Sequence, residues 1–273
     1  MKPSPTWRIV RQLALFVAAV FFLMPVYVLL VTSFKASGEV DVANMWALPR
    51  SLSLDTFAEV WPKLDNGMLN SFLLALPASV ISSLLGAANG FVLAKWRFPG
   101  ADVIFPVILF GMFIPYQAII IPMFQTMVSL GLYGGLDGLI LVHVIYGLPI
   151  TTLIFRSYYS GLSDELIEAA RVDGAGMLRT FRSIALPLAL PAFAVSMIWQ
   201  FTSAWNDFLF GVILTKTEFW PVTVALNNIA GAQTVPFNQA MASAFLASLP
   251  TLLVYLLLGR FFMRGLMAGA LKG

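Results

Sequence analysis

The chain has 273 residues, of which 59% are hydrophobic and only 11% charged, with a net charge of +3, one histidine and no cysteine. A soluble domain carries about 25% charged residues, so the composition excludes an ordinary soluble fold and reads as a polytopic, all-α membrane protein. Without cysteine there is no disulfide framework or thiolate chemistry, and one histidine cannot build a histidine-based metal site.

A bilayer core takes about 20 helical residues, and apolar runs of that order lie at about 12–32, 70–93, 101–127, 138–158, 186–214 and 240–262. The first follows a short basic start with Lys2, Arg8 and Arg11. It reads as a span and not as a secretory signal, because it is too long and no small-residue cleavage site follows. Residues 33–69 read as a polar loop containing Trp and Pro, with Asn70 as the cap of span two. Span two contains Gly86 and Gly90 in the small-xxx-small spacing that lets helices approach closely. A tight basic turn with Lys95, Arg97, Pro99 and Gly100 leads to span three, which is interrupted by Pro115 and Pro122. A glycine-rich turn, span four with Pro149, the polar stretch 161–191, span five, a polar loop at 216–236 and span six complete the series. Residues 263–273 form a small-residue tail. No internal repeat or soluble insert stands out, and residues 1–273 read as one transmembrane domain.

Basic residues orient these spans. With the N-terminus inside, the inner segments hold 12 of the 16 Lys and Arg residues, against Lys35, Arg50, Lys63 and Lys216 outside. Both termini and the 161–191 stretch are therefore expected on the cytoplasmic side. The cations thus mark topology, and no nucleic-acid partner is expected.

The 161–191 stretch is the one long polar interruption. Ser163 is a suitable N-cap, and Asp164 and Glu165 place negative charge in the first turn. Leu162 and Ile167 have hydrophobic-staple spacing. Leu166, Ala169 and Ala170 are expected to form a narrow apolar face, bordered by Glu165, Glu168 and Arg171. Gly174 is expected to end the helix in the left-handed conformation. The stretch reads as a short capped docking knob between two spans.

Span five carries a polar stripe. Gln200, Ser203 and Asp207 fall at i, i+3 and i+7 with Asn206 adjoining, on one helix face. Polar groups in a bilayer face a bundle interior or a wet cavity, so the stripe is a candidate pore lining. Trp205 beside amide and carboxylate groups suits a sugar, whose C–H face stacks on an aromatic ring while its hydroxyls bond the polar groups. The alternative is that Trp205, Asn206 and Asp207 are the interfacial end of the helix. Tyr116 and Gln117 follow Pro115 and are further lining candidates, because the proline frees backbone carbonyls that need a cavity or a neighbour. His143 sits roughly 8 Å inside span four. It reads as an imidazole bonded to a neighbouring helix; a proton relay would need a carboxylate that its sequence neighbourhood does not supply.

No Gly-rich phosphate loop, nucleophile elbow or intramembrane catalytic pair is present, so the chain is not expected to be an enzyme.

The sequence also resembles a known family. Glu168-Ala169-Ala170, Asp173-Gly174-Ala175, Phe181, Ile184, Leu186-Pro187 and Pro191 match the EAA loop of ABC importer permeases, in the form seen in MalG-type carbohydrate permeases. The likeness extends to Asn70-Ser71, Ile114-Pro115-Tyr116-Gln117, Leu148-Pro149, Trp205-Asn206-Asp207, the 221–226 segment and the tail from Gly265 to Gly273. The resemblance implies a coupling helix that fits a cytoplasmic ATPase, with Glu168 at its groove and Gly174 as the turn. It implies a second ATPase contact through the tail, at Gly269, Lys272 and Gly273. It further implies a heterodimer with a second permease, two ATPase subunits that hold ATP and Mg, an external sugar-binding protein and a sugar as cargo, with no cofactor in this chain. The rivals are an ABC permease for a non-sugar solute, a secondary transporter or channel, and a structural or sensory subunit.

Overall fold

The structure is a computed structural model and describes residues 5–96, 98–232 and 235–270. Among these residues it is helical throughout, with one isolated bridge between Gly134 and Thr215. In chain order the helices are α1 (Pro5–Ser33), α2 (Asp55–Lys95), α3 (Ala101–Phe110), α4 (Tyr116–Ser129), α5 (Leu136–Ser160), α6 (Asp164–Val172), α7 (Met177–Thr180), α8 (Leu186–Leu188), α9 (Leu190–Trp205), α10 (Leu209–Leu214), α11 (Val222–Ala230) and α12 (Phe237–Ala270).

Four of these helices are long and apolar enough to cross a membrane, and two further pairs qualify if each bent pair counts as one span. Span three is the first such pair: its two halves meet at 97° at Ile114–Pro115. Proline has no N–H to give, and it forces the residue before it out of the helical region. The second pair is 177–188 with 190–205, bent by 77°. Here a π-helical turn at Phe181–Ala185 precedes α8.

Several sequence expectations are corrected. The polar loop after span one is shorter than read, because α2 begins at Asp55. Its first turns are polar enough to pass for loop, but the Ser53 hydroxyl caps them by accepting from Asp55 N at 3.2 Å. Asn70 is accordingly not a cap; it sits mid-helix and donates to the carbonyls of Glu218 and Trp220 at 3.0 and 3.2 Å. Span five stops at Trp205, resumes as α10, and is not one helix to residue 214. The 216–236 segment is not all loop, since it contains α11. Helix α12 continues into the expected tail as far as Ala270.

The described residues form two compact units. The first comprises residues up to 65 together with 225–248. Three rings pack together in it, Phe34, Phe57 and Phe245, with centroids 5.0–6.1 Å apart. Beside it, the buried Asn238 amide donates to Lys35 O and Thr56 Oγ1 at 3.1 and 2.9 Å. The buried Lys35 ammonium donates to the Asn44 carbonyl at 2.6 Å and so holds the segment after α1.

The second unit comprises residues 66–224 and the chain from 249 onward. Here α2 and α5 pass very close to each other. A Cβ added at Gly86 would overlap Thr151, and one at Gly90 would lie 2.6 Å from the Arg156 backbone nitrogen. This is the small-residue interface expected from the 86–90 spacing. Ser83 and Ser196 hydroxyls meet at 2.8 Å and tie α2 to α9. Below them Ala87, Phe91, Phe155, Tyr159, Ile167 and Ala189 share one buried cluster.

Candidate functional site

Two sites emerge in the second unit. The first is α6. Ser163 accepts from Glu165 N at 3.2 Å. At the other end Gly174 has φ +77°, Gly174 N donates to Arg171 O, and Ala175 N donates to Ala170 O at 2.9 Å. These bonds close the last carbonyls, as a left-handed C′ glycine allows. Of the three residues expected on the apolar docking face, Leu166 and Ala169 are exposed, and Ala170 alone departs from the expectation, because it turns inward beside Ile167. Glu168, Val172, Asp173 and Gly174 are exposed as well. Apolar Leu166 is thus left on the outside, while Ile167 and its staple partner Leu162 join the buried cluster.

Helix α6 is also clasped to the end of α2. The buried Lys95 ammonium donates to Leu162 O at 2.7 Å and pairs with Asp164. Arg171 reaches back to Lys95 O at 3.4 Å and lies 4.4 Å over the Trp96 ring. The sequence places Lys95 in a basic turn and Arg171 at the border of the α6 face, but the contact between these distant segments has no local signature. Arg97, which shares their basic turn, lies outside the described residues, as do Lys272 and Gly273. Gly269 falls in the last turn of α12.

The second site is a cleft of about 420 Å³ where the break between α9 and α10 faces α5 and the start of α4. Tyr116, Gln200, Ser203, Asn206 and Asp207 all line it. Gln117 is exposed on α4 outside the lining, and Trp205 is buried against Phe72 and Phe201. The ring that reaches the cleft is Trp199, which is half exposed. Helical arithmetic sorts the two: Trp205 is two residues, about 200°, around the helix from Ser203, and Trp199 is one turn below it.

Asp207 creates the break. Its carboxylate accepts from Phe210 N at 3.2 Å and Gly211 N at 2.9 Å, capping α10 at its start. Its own carbonyl accepts from Thr223 Oγ1. The cap seats Phe210 among three rings, Tyr116, His143 and Tyr146, at 5.3, 5.8 and 5.4 Å. Gln200 is buried and spans the gap to α5, donating to His143 O at 2.8 Å. Gly147 makes room for it, since a Cβ there would lie 2.5 Å from the Gln200 side chain. His143, Tyr146 and Phe210 were not read as lining residues. The carboxylate beside His143 comes from Asp207, 64 positions away, with Nε2 at 3.4 Å from Oδ2.

A family model matches residues 86–267: the binding-protein-dependent transport system inner membrane component. The chain belongs to that family. The permease is 40% identical to a probable ABC transporter permease protein of Pyrococcus horikoshii, over 99% of this chain and 98% of that one. It is 33% identical to GlcU, the glucose import system permease protein of Saccharolobus solfataricus, over 94% and 93% of the two chains. Its fold matches a solved bacterial ABC transporter involved in the import of alginate, with a TM-score of 0.82 at 22% identity, covering 96% and 99% of the two chains. The permease is therefore a multi-pass inner-membrane component of an ABC import system.

Proposed function

We propose that the chain is the permease subunit of an ATP-driven importer that moves a sugar through the membrane. The observation that carries this reading is α6: a helix sealed at both ends, bolted to α2 by Lys95 and Arg171, and presenting Leu166, Glu168, Ala169 and Val172 outward. A rigid body so fixed transmits a push from a docked partner directly to the long helices. In this reading the residues form one permease domain of six spans, and both termini and α6 face the cytoplasm. Helix α6 docks in a groove of a cytoplasmic ATPase, one of two copies, which holds ATP and Mg. The chain itself hydrolyses nothing and carries no cofactor. The tail with Gly269, Lys272 and Gly273 adds a second ATPase contact.

A second permease completes the pore, and an external binding protein delivers the solute to the cleft. A sugar is supported by the glucose named for GlcU and by the cleft chemistry: one exposed Trp face, with amide, hydroxyl and carboxylate groups around it. ATP binding closes the ATPase pair and opens the cleft outward, and hydrolysis resets it. Transport is then a shift of populations driven by differential binding.

Gentle solubilisation through an N-terminal tag, with mass spectrometry of the co-purifying chains, tests the assembly. A second permease and an ATPase with a Gly-rich phosphate loop are expected. Recovery of this chain alone, or only with copies of itself, would refute the importer reading in favour of a secondary transporter or channel.

A further inference from the structure

Two buried polar atoms in the cleft lack any hydrogen-bond partner: His143 Nε2 and Tyr146 OH. Such groups are costly when left unpaired, and native structures retain few of them. His143 is 5% exposed. The two residues stand at i and i+3 on α5, so their side chains share a helix face, and both line the same cleft. Asp207 Oδ2 is 3.4 Å from Nε2, yet the two do not form a hydrogen bond. Packing does not leave these atoms free to turn elsewhere, because both rings are held against Phe210.

The donor and acceptor set defines what fits. Asp207 is an acceptor only, whereas Tyr146 OH and His143 Nε2 can each meet a group that both donates and accepts. A hydroxyl is that group: it donates to the carboxylate while accepting from the phenol or the imidazole. An anion would meet the Asp207 charge. A cation would find one carboxylate already engaged by two backbone N–H groups. No Lys, Arg or second carboxylate lies in the lining among the described residues.

We propose that His143, Tyr146 and Asp207 form a subsite that reads one hydroxyl of a neutral polyol. Resting on the sugar-importer reading, this assigns specificity to the α5 wall of the cleft, and Trp199 becomes the stacking platform for the same ring. Tyr146 is a contact residue. Gln200 is a positioning residue, which fixes α5 through the His143 carbonyl.

The test uses the complete importer in proteoliposomes with its binding protein. ATP-driven uptake of radiolabelled glucose, xylose, maltose and raffinose is measured first. Lack of uptake of all four by the unaltered complex overturns the sugar reading and the subsite with it. For the sugar taken up, Tyr146→Phe is expected to raise KM about tenfold with kcat retained, the loss of one buried hydrogen bond. Among the monodeoxy analogues of that sugar, one should show the same raised KM with the unaltered protein and lose nothing further in Tyr146→Phe. His143→Gln, which keeps a donor and an acceptor, should retain discrimination for that hydroxyl better than His143→Leu. An unchanged KM in Tyr146→Phe, or a parallel rise for every analogue, overturns the subsite while leaving the importer reading intact.

Discussion

The α6 end and the cleft are built on opposite principles, although both lie in one compact unit. At α6 every device removes freedom: both helix ends are sealed, Lys95 is buried against a carbonyl and a carboxylate, and Ile167 and Leu162 pack into a buried cluster. At the cleft the chain is interrupted, α9 ends at Trp205, and buried polar atoms are left unpaired. In the proposed reading the contrast has a reason: a part that transmits force must not deform, whereas a part that holds and releases a solute must keep polar valences available. The shared close contact of α2 with α5 connects the two tasks.

The most damaging way to break that contrast is at the shared contact. Gly90→Leu places a side chain against the Arg156 backbone, where nothing flexible can yield. Overpacking of this kind costs about 3 kcal/mol, and the assembled complex should be absent from solubilised membranes. Next comes Glu168→Lys, which changes only the exposed face of α6. Assembly and folding are expected to survive while uptake falls by at least about 30-fold, the equivalent of ~2 kcal/mol of lost docking. Normal uptake would show that α6 is not a docking element.

A subtler change is Gly174→Val. A β-branched residue at φ +77° costs about 1–2 kcal/mol, so the ATPase should continue to turn over with uptake reduced several-fold. Full coupling in this variant would mean that the sealed end of α6 is dispensable. The smallest effect is expected from Gly147→Ala. It displaces Gln200 from the His143 carbonyl, and a loss of about 1 kcal/mol should lower the melting temperature by a few degrees and raise KM more than it lowers kcat. Equal KM in the variant would separate Gln200 from the cleft.

Much of this was legible in the sequence. Hydropathy located the spans, Ser163 and Gly174 marked the ends of α6, and the 86–90 spacing marked the close helix contact. What was not legible depends on long-range geometry. The composition of α2 before Asn70 is polar, so only its helical capping reveals it as helix. Ile167 and Leu166 are adjacent and equally apolar, and which of them is buried is decided by where α2 and α5 stand. The cleft stripe was found by helical spacing, but its α5 wall was not, because His143 and Asp207 meet only when α9 breaks and α10 restarts. Trp205 adjoins Asn206-Asp207 in sequence yet turns away from the cleft, since residues adjacent in sequence point about 100° apart on a helix.

Asn70 has a consequence for synthesis. Its amide lies where the polar first turns of α2 give way to the apolar run, and its carbonyl partners belong to residues 148 and 150 positions later. Helix α1 asks less of the later chain: most of its large apolar side chains are exposed, and its Tyr27 hydroxyl finds the Trp46 carbonyl only 19 positions on. At about 5–20 residues per second, α2 waits roughly 7–30 s for the segment that satisfies Asn70. During that interval the amide must be met by water or by some other transient partner, because a polar group left unsatisfied in an apolar medium is costly. A substitution at Asn70 would thus alter the lifetime of the half-made chain as much as the stability of the finished one.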